Sequence, residues 1–175
     1  MAESKAMELK RKINRLAETG AIDEALIALN ALVEIDGESA FSYNKLGIIS
    51  ARRGEMDDAK VYFEKALTLD PRCAQAHSNL GNICREVGDL DQAIACYRQA
   101  IDCDPEYATA YHNLGVVYRQ QGDFQRAVDN LKQATKLQKV MARRELSESP
   151  IGKRTPIAWL AIALLIAVLI YLIRR

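Results

Sequence analysis

The sequence predicts an all-α chain: a solenoid of stacked helix pairs, followed by a single apolar helix. Three observations predict it. Gly20, Gly54, Gly88 and Gly122 stand 34 residues apart, as do Ala25, Ala59, Ala93 and Ala127. The pairs Leu46-Gly47, Leu80-Gly81 and Leu114-Gly115 keep the same step. Residues 156–173, PIAWLAIALLIAVLIYLI, carry no charge. A fixed period of this size marks a repeat array, in which each unit buries its apolar face against its neighbours.

The recurring residues share a physical reason. Two helices of a hairpin approach closely only where small side chains sit at the crossing, hence Gly in the first helix and Ala in the second. The Gly between them supplies the left-handed turn that ends the first helix. Asp70-Pro71 and Asp104-Pro105 end the second helix, because proline cannot continue one.

Taken in order, residues 2–19 read as a helix with Leu9, Ile13 and Leu16 on one face. Gly20 breaks it, and a second helix follows from about Ile22 to Ile35, ended by Asp36-Gly37. Three regular pairs come next, with first helices near 40–53, 74–87 and 108–121 and partners near 56–69, 90–103 and 124–139. Lys139 stands where the earlier units have Pro, so the last helix is expected to run on towards Glu145 or Leu146. Leu137, Val140 and Met141 then share one face without a further helix to cover it.

This pattern resembles the tetratricopeptide repeat (TPR), and the resemblance implies an all-α, right-handed superhelical solenoid of helix hairpins. Three units match, at residues 40–73, 74–107 and 108–141. The first carries Tyr43, Leu46, Gly47, Ala59, Phe63, Ala66 and Pro71 at the signature positions. The second carries His77, Leu80, Gly81, Ala93, Tyr97, Ala100 and Pro105, and the third Tyr111, Leu114, Gly115, Tyr118, Ala127, Leu131 and Ala134. Residues 1–39 form a degenerate N-terminal unit that keeps Gly20, Ala25 and Leu32 but has Lys12-Ile13 in place of Leu-Gly. It is expected to cap the array, since an end unit needs one polar face.

The chain beyond the repeats reads as a membrane anchor. A basic juxtamembrane linker at 142–155 leads into 156–173, and 174–175 form a short tail. Of the 18 residues in the apolar run, 11 are Leu, Ile or Val. A helix of that length spans roughly 27 Å, close to the hydrocarbon thickness of a bilayer. Each Leu, Ile or Val favours insertion by about 0.3–0.6 kcal/mol, which sums to several kcal/mol with no opposing charge. Lys139, Arg143, Arg144, Lys153 and Arg154 lie upstream of the run and only Arg174 and Arg175 beyond it. The positive-inside bias therefore predicts a single-pass, tail-anchored protein with its repeats facing the cytoplasm. A bacterial inner membrane and a mitochondrial outer or endoplasmic reticulum membrane fit equally. The N-terminal stretch MAESKAMELKRK has no apolar run, so no secretory signal is expected there.

Charge and composition exclude several functions. Residues 1–131 carry 15 Lys/Arg against 21 Asp/Glu. An acidic repeat domain argues against nucleic acid as a partner. Cys73, Cys84, Cys96 and Cys103 are spaced 11, 12 and 7 apart, which matches no metal pattern, and they read as reduced thiols packed among helices. No phosphate loop, nucleophile elbow or zinc motif occurs. No cofactor, no metal site and no catalytic residue is expected, and the protein is read as not an enzyme.

The resemblance instead implies a binding groove lined by the first helices. Its candidate residues are Lys10 and Arg11 in the degenerate unit, then Asn44, Lys45 and Arg52. Asn79, Asn82 and Arg85 follow, then His112, Asn113 and Arg119. Across the positions implied for the groove, six basic residues stand against Glu18 and Glu86. A basic groove on an acidic domain focuses field on anionic ligands. Asn79 and Asn113 occupy the same slot in successive units, and amide side chains can pair with the backbone of an extended peptide. The expected function is that of a membrane-anchored adaptor whose groove binds an extended, acidic peptide segment of a cytosolic protein. Two alternatives remain open: a self-assembling scaffold, oligomerising through the uncapped C-terminal repeat end, and a non-catalytic subunit of a membrane complex.

Overall fold

The computed structural model describes residues 2–149. The chain divides into two units, Met1–Ala134 and Thr135–Arg175. Among the described residues there are eight α-helices and no strand: α1 (Ala2–Thr19), α2 (Ile22–Asp36), α3 (Ala40–Arg52), α4 (Met56–Leu69), α5 (Ala74–Glu86), α6 (Leu90–Cys103), α7 (Ala108–Gln120) and α8 (Phe124–Glu148).

Local chemistry fixes the ends of these helices. Gly54, Gly88 and Gly122 take φ of 81°, 85° and 81°, the left-handed turn between the two helices of a hairpin. Asp70 precedes Pro71 in an extended conformation and its Oδ1 accepts from the Arg72 amide at 3.0 Å. Asp104 does the same for Glu106 at 3.0 Å. At the N-termini, the side chains of Ser39, Asp89 and Asp123 accept from Ser42, Gln92 and Arg126 amides at 3.2, 3.0 and 3.0 Å.

In the first unit the helices pack as hairpins α1/α2, α3/α4 and α5/α6, and each hairpin stacks on the next through α2/α3, α4/α5 and α6/α7. The crossing logic of the sequence is visible in the core. Phe63 and Tyr97 are fully buried and lie over Gly47 and Gly81 of their partner helices. Ala59, Ala66, Ala93 and Ala100 are buried beside them. Burying one such ring contributes about 2–3 kcal/mol. The degenerate unit has its own core of Ala6, Ile13, Ala28, Leu29 and Leu32, against which Phe41 and Leu46 of the next hairpin pack.

The last repeat differs at its outer side. Ile94, buried to 8% exposure, has Val128 as its equivalent one repeat on, and Val128 is 44% exposed. Ile94 belongs to a core cluster with Leu114, Val117 and Tyr118 of α7. With no Asp-Pro to stop it, α8 continues through Lys139 to Glu148. Within the second unit Val140, Met141 and Leu146 are exposed. No helix among the described residues is long and apolar enough to cross a membrane. The run at 156–173 and the end of the basic linker lie outside them.

Candidate functional site

Within the repeat unit, α5 touches α3 and α7 in addition to its hairpin partner α6. The first helices α3, α5 and α7 therefore form one continuous wall, and the candidate residues of these helices lie along it at different depths.

The asparagines are not equivalent. Asn44 and Asn113 are 3% and 9% exposed, whereas Asn79 and Asn82 are half-buried. Asn79 Nδ2 donates to Asn44 Oδ1 at 3.0 Å, stitching α5 to α3. Asn113 Nδ2 donates to Asn82 Oδ1 at 3.0 Å, stitching α7 to α5. Asn82 Oδ1 also accepts from Tyr97 Oη at 2.8 Å. Asn44 and Asn113 thus sit beneath the wall and join neighbouring repeats. The amides of Asn79 and Asn82 reach the surface and keep further hydrogen-bonding capacity, since each amide has two N–H donors and a carbonyl with two lone pairs.

The cations gather at the α1–α3 end. Lys10 Nζ pairs with Asp36 Oδ2 at 2.6 Å and lies 5.8 Å from the centre of the Phe41 ring. Lys45 Nζ lies 5.4 Å from the centre of the same ring. Lys45 is half-buried, and loss of hydration pushes its ammonium below the usual lysine range, partly opposed by the Glu18 carboxylate. Among the described residues Lys45 makes no ion pair. Arg52, exposed, donates from Nη1 to the Ala17 carbonyl near the end of α1. Arg85 is half-buried, while Arg11, His112 and Arg119 are exposed.

Between α3 and α5 the wall dips into a depression of about 250 Å³. Ile48, Ala51, Met56, Phe63 and Ile83 supply its apolar lining. Arg52, Asn79, Asn82 and Glu86 supply polar lining. Phe63, Met56 and Ile83 were absent from the sequence-derived groove. The signal for them is the repeat comparison itself. Slots 48 and 63 recur 34 residues on as Asn82 and Tyr97, a hydrogen-bonded pair. In the first regular repeat the pair is Ile48 and Phe63, both apolar, and the same place is an apolar-lined depression instead of a closed polar contact.

No constellation of chemistry accompanies the groove. Among the described residues no group of three or more His, Cys, Asp or Glu could hold a metal ion. The four cysteines are free, with Cys73 and Cys96 buried. Burial pushes the Cys96 thiol up to about 11 and the Cys73 thiol up as well, which keeps both protonated and poorly nucleophilic near neutral pH. His77 Nε2 is occupied at 3.0 Å from the Pro71 carbonyl, at the turn between repeats.

Comparison with known proteins agrees with this architecture. The tetratricopeptide repeat model matches residues 38–106 and, one repeat on, 72–139, together more than half of the chain. A crystal structure of MamA is similar at 26% identity and a TM-score of 0.60, covering 79% of this chain and 81% of that one. A second MamA structure is 27% identical, with a TM-score of 0.58, covering 85% and 82% of the two chains. Pseudomonas aeruginosa PilF, at 22% identity and a TM-score of 0.66, shares the fold over 78% of this chain and 62% of its own. A search of curated proteins found no match.

Proposed function

This chain belongs to the tetratricopeptide repeat family, and from that premise we propose that it is a membrane-anchored adaptor. Repeats of this family are interaction modules, and the groove of first helices receives an extended, acidic segment of a cytosolic protein. The span at 156–173 holds that complex at the membrane, with the repeats on its cytoplasmic face. The single observation that carries the reading is the half-buried Lys45, which makes no ion pair among the described residues, beside Arg52 at the rim of an apolar depression. A half-buried cation that forms no ion pair favours a carboxylate brought by a partner. The supporting chemistry on the neighbouring helix is the pair of surface amides, Asn79 and Asn82.

The test is crosslinking and pull-down from detergent-solubilised membranes, comparing the intact protein with a Lys45→Glu, Arg52→Glu, Arg85→Glu variant. Capture of a specific protein by the first and its loss in the second is the expected result. Capture unchanged by charge reversal removes the groove from the account.

Val128 favours a second reading. An apolar position covered in the preceding repeat and open in the last one is what end-to-end association of repeat arrays needs. In that reading the protein is a self-assembling scaffold on the membrane. Its mark is a size that rises with concentration and drops on Val128→Asp, with groove variants unaffected.

A further inference from the structure

The depression between α3 and α5 has a size, a lining and a charge pattern, and together these restrict what can enter it. Ligand sites for cofactors and drug-sized molecules occupy about 300–1,000 Å³. At about 250 Å³ and open to solvent, this one suits a single large side chain instead. Its floor is aliphatic and aromatic: Ile48 and Ala51 from α3, Ile83 from α5, and the Phe63 ring from α4. An apolar side chain entering it gains about 25 cal/mol for each Å² removed from water.

The surroundings set the neighbours of that side chain. On α3, Lys45, Ile48 and Arg52 follow one another at three and four residues, so they share a helix face with the apolar position in the middle. At a rise of 1.5 Å per residue, the two cations lie about 4.5 and 6 Å along the helix from Ile48. An extended peptide advances about 3.3 Å per residue, so a residue one or two places from the anchor reaches either cation. The facing helix α5 carries the surface amides Asn79 and Asn82, which suit peptide N–H and C=O groups. Glu86 at the same rim repels a second acidic residue on its side.

We propose that this depression is a specificity pocket for one apolar anchor residue of an extended peptide that carries an Asp or Glu within two positions of the anchor. The proposal deepens the adaptor reading and rests on it. It narrows the ligand from a generally acidic segment to a mixed one, because a purely acidic peptide leaves the apolar floor exposed and meets Glu86. Ionic contact with Lys45 also returns that ammonium towards its ordinary lysine behaviour, which links peptide binding to the protonated form of Lys45.

The test is selection of a randomised peptide display library on the full chain in detergent micelles. Selected peptides are then titrated against wild type, Ala51→Phe, which fills the depression, and Arg52→Glu, which reverses the rim charge and gives up the hydrogen bond to the Ala17 carbonyl. Far-UV circular dichroism of each variant confirms that the repeats are folded. The expected result is a family of peptides sharing one apolar position with an acidic neighbour. Their affinity falls at least tenfold in Arg52→Glu, and equally in Ala51→Phe if that variant folds. Peptides that lose binding in Arg52→Glu but show no apolar position overturn the pocket and leave the groove intact. Peptides with basic residues beside the anchor overturn the charge assignment. No enriched peptide, or enriched peptides indifferent to both variants, overturns the groove reading itself.

Discussion

The helix crossing at Gly81 offers a sharp test of how the repeats are built. A Cβ placed on Gly81 falls 2.7 Å from Cε1, 2.9 Å from Cδ1 and 3.0 Å from Cζ of Tyr97. All three are well inside ordinary contact, so the ring or the helix must move by several tenths of an ångström. Tyr97 has little freedom to give, since it is fully buried and its hydroxyl is held by Asn82 at 2.8 Å. Two opposing effects decide the sign of Gly81→Ala. Helix propensity favours Ala over Gly by about 0.5–1 kcal/mol. Overpacking in a filled core costs about 1–3 kcal/mol, and displacing the Tyr97 hydroxyl adds about 1 kcal/mol. The net expectation is a loss of about 1–3 kcal/mol, followed in urea titrations of the full chain in micelles by far-UV circular dichroism. The same change made in a Tyr97→Leu background should cost at least 1 kcal/mol less, because the rigid ring is gone. A neutral or stabilising Gly81→Ala would refute the reasoning, since propensity would then outweigh the crossing.

Further expectations follow from the same contacts. Tyr97→Phe should cost about 0.5–1.5 kcal/mol by removing one hydrogen bond to Asn82, read in the same titrations. Burial pushes the Tyr97 hydroxyl up to about 12 from an ordinary 10, so folding favours the neutral phenol. The stability it contributes is complete below pH 10 and is lost as pH rises from 10 through 12, to a total of roughly 2–3 kcal/mol. The alkaline slope of the unfolding free energy should therefore flatten in Tyr97→Phe. Ile94→Asp should lose 3 kcal/mol or more, on the order of a buried unpaired carboxylate, whereas Val128→Asp at the equivalent position should change stability by less than about 1 kcal/mol. Equal losses at the two sites would contradict an open end on the last repeat.

The 34-residue step made the helices legible because each repeated residue answers to a single local demand. Gly54, Gly88 and Gly122 provide the positive φ of the turns, and Gly47 and Gly81 admit the rings of Phe63 and Tyr97. The missing proline at Lys139 likewise announced that α8 would continue. The depth of the groove residues was harder to read, because periodicity locates a residue on a face without saying how close the next repeat comes. Asn44 and Asn113 share the face of Asn79 and Asn82 yet lie beneath it, drawn into contacts with the neighbouring first helices. The depression was hidden for a related reason. Phe63 reads as a core residue of its own hairpin, and only its partnership with Ile48 and Ile83 across two repeats shows that one edge of the ring lines a surface site.

The most direct measurement of the central claim is site-specific photocrosslinking in intact membranes. A benzophenone side chain is introduced at Ala51, in the depression, or at Ala95, exposed on α6. The account predicts a discrete crosslink to a second kind of polypeptide from position 51, lost in Arg52→Glu, and none from position 95. Crosslinks from position 95 alone, or only to further copies of this chain from both positions, would contradict it.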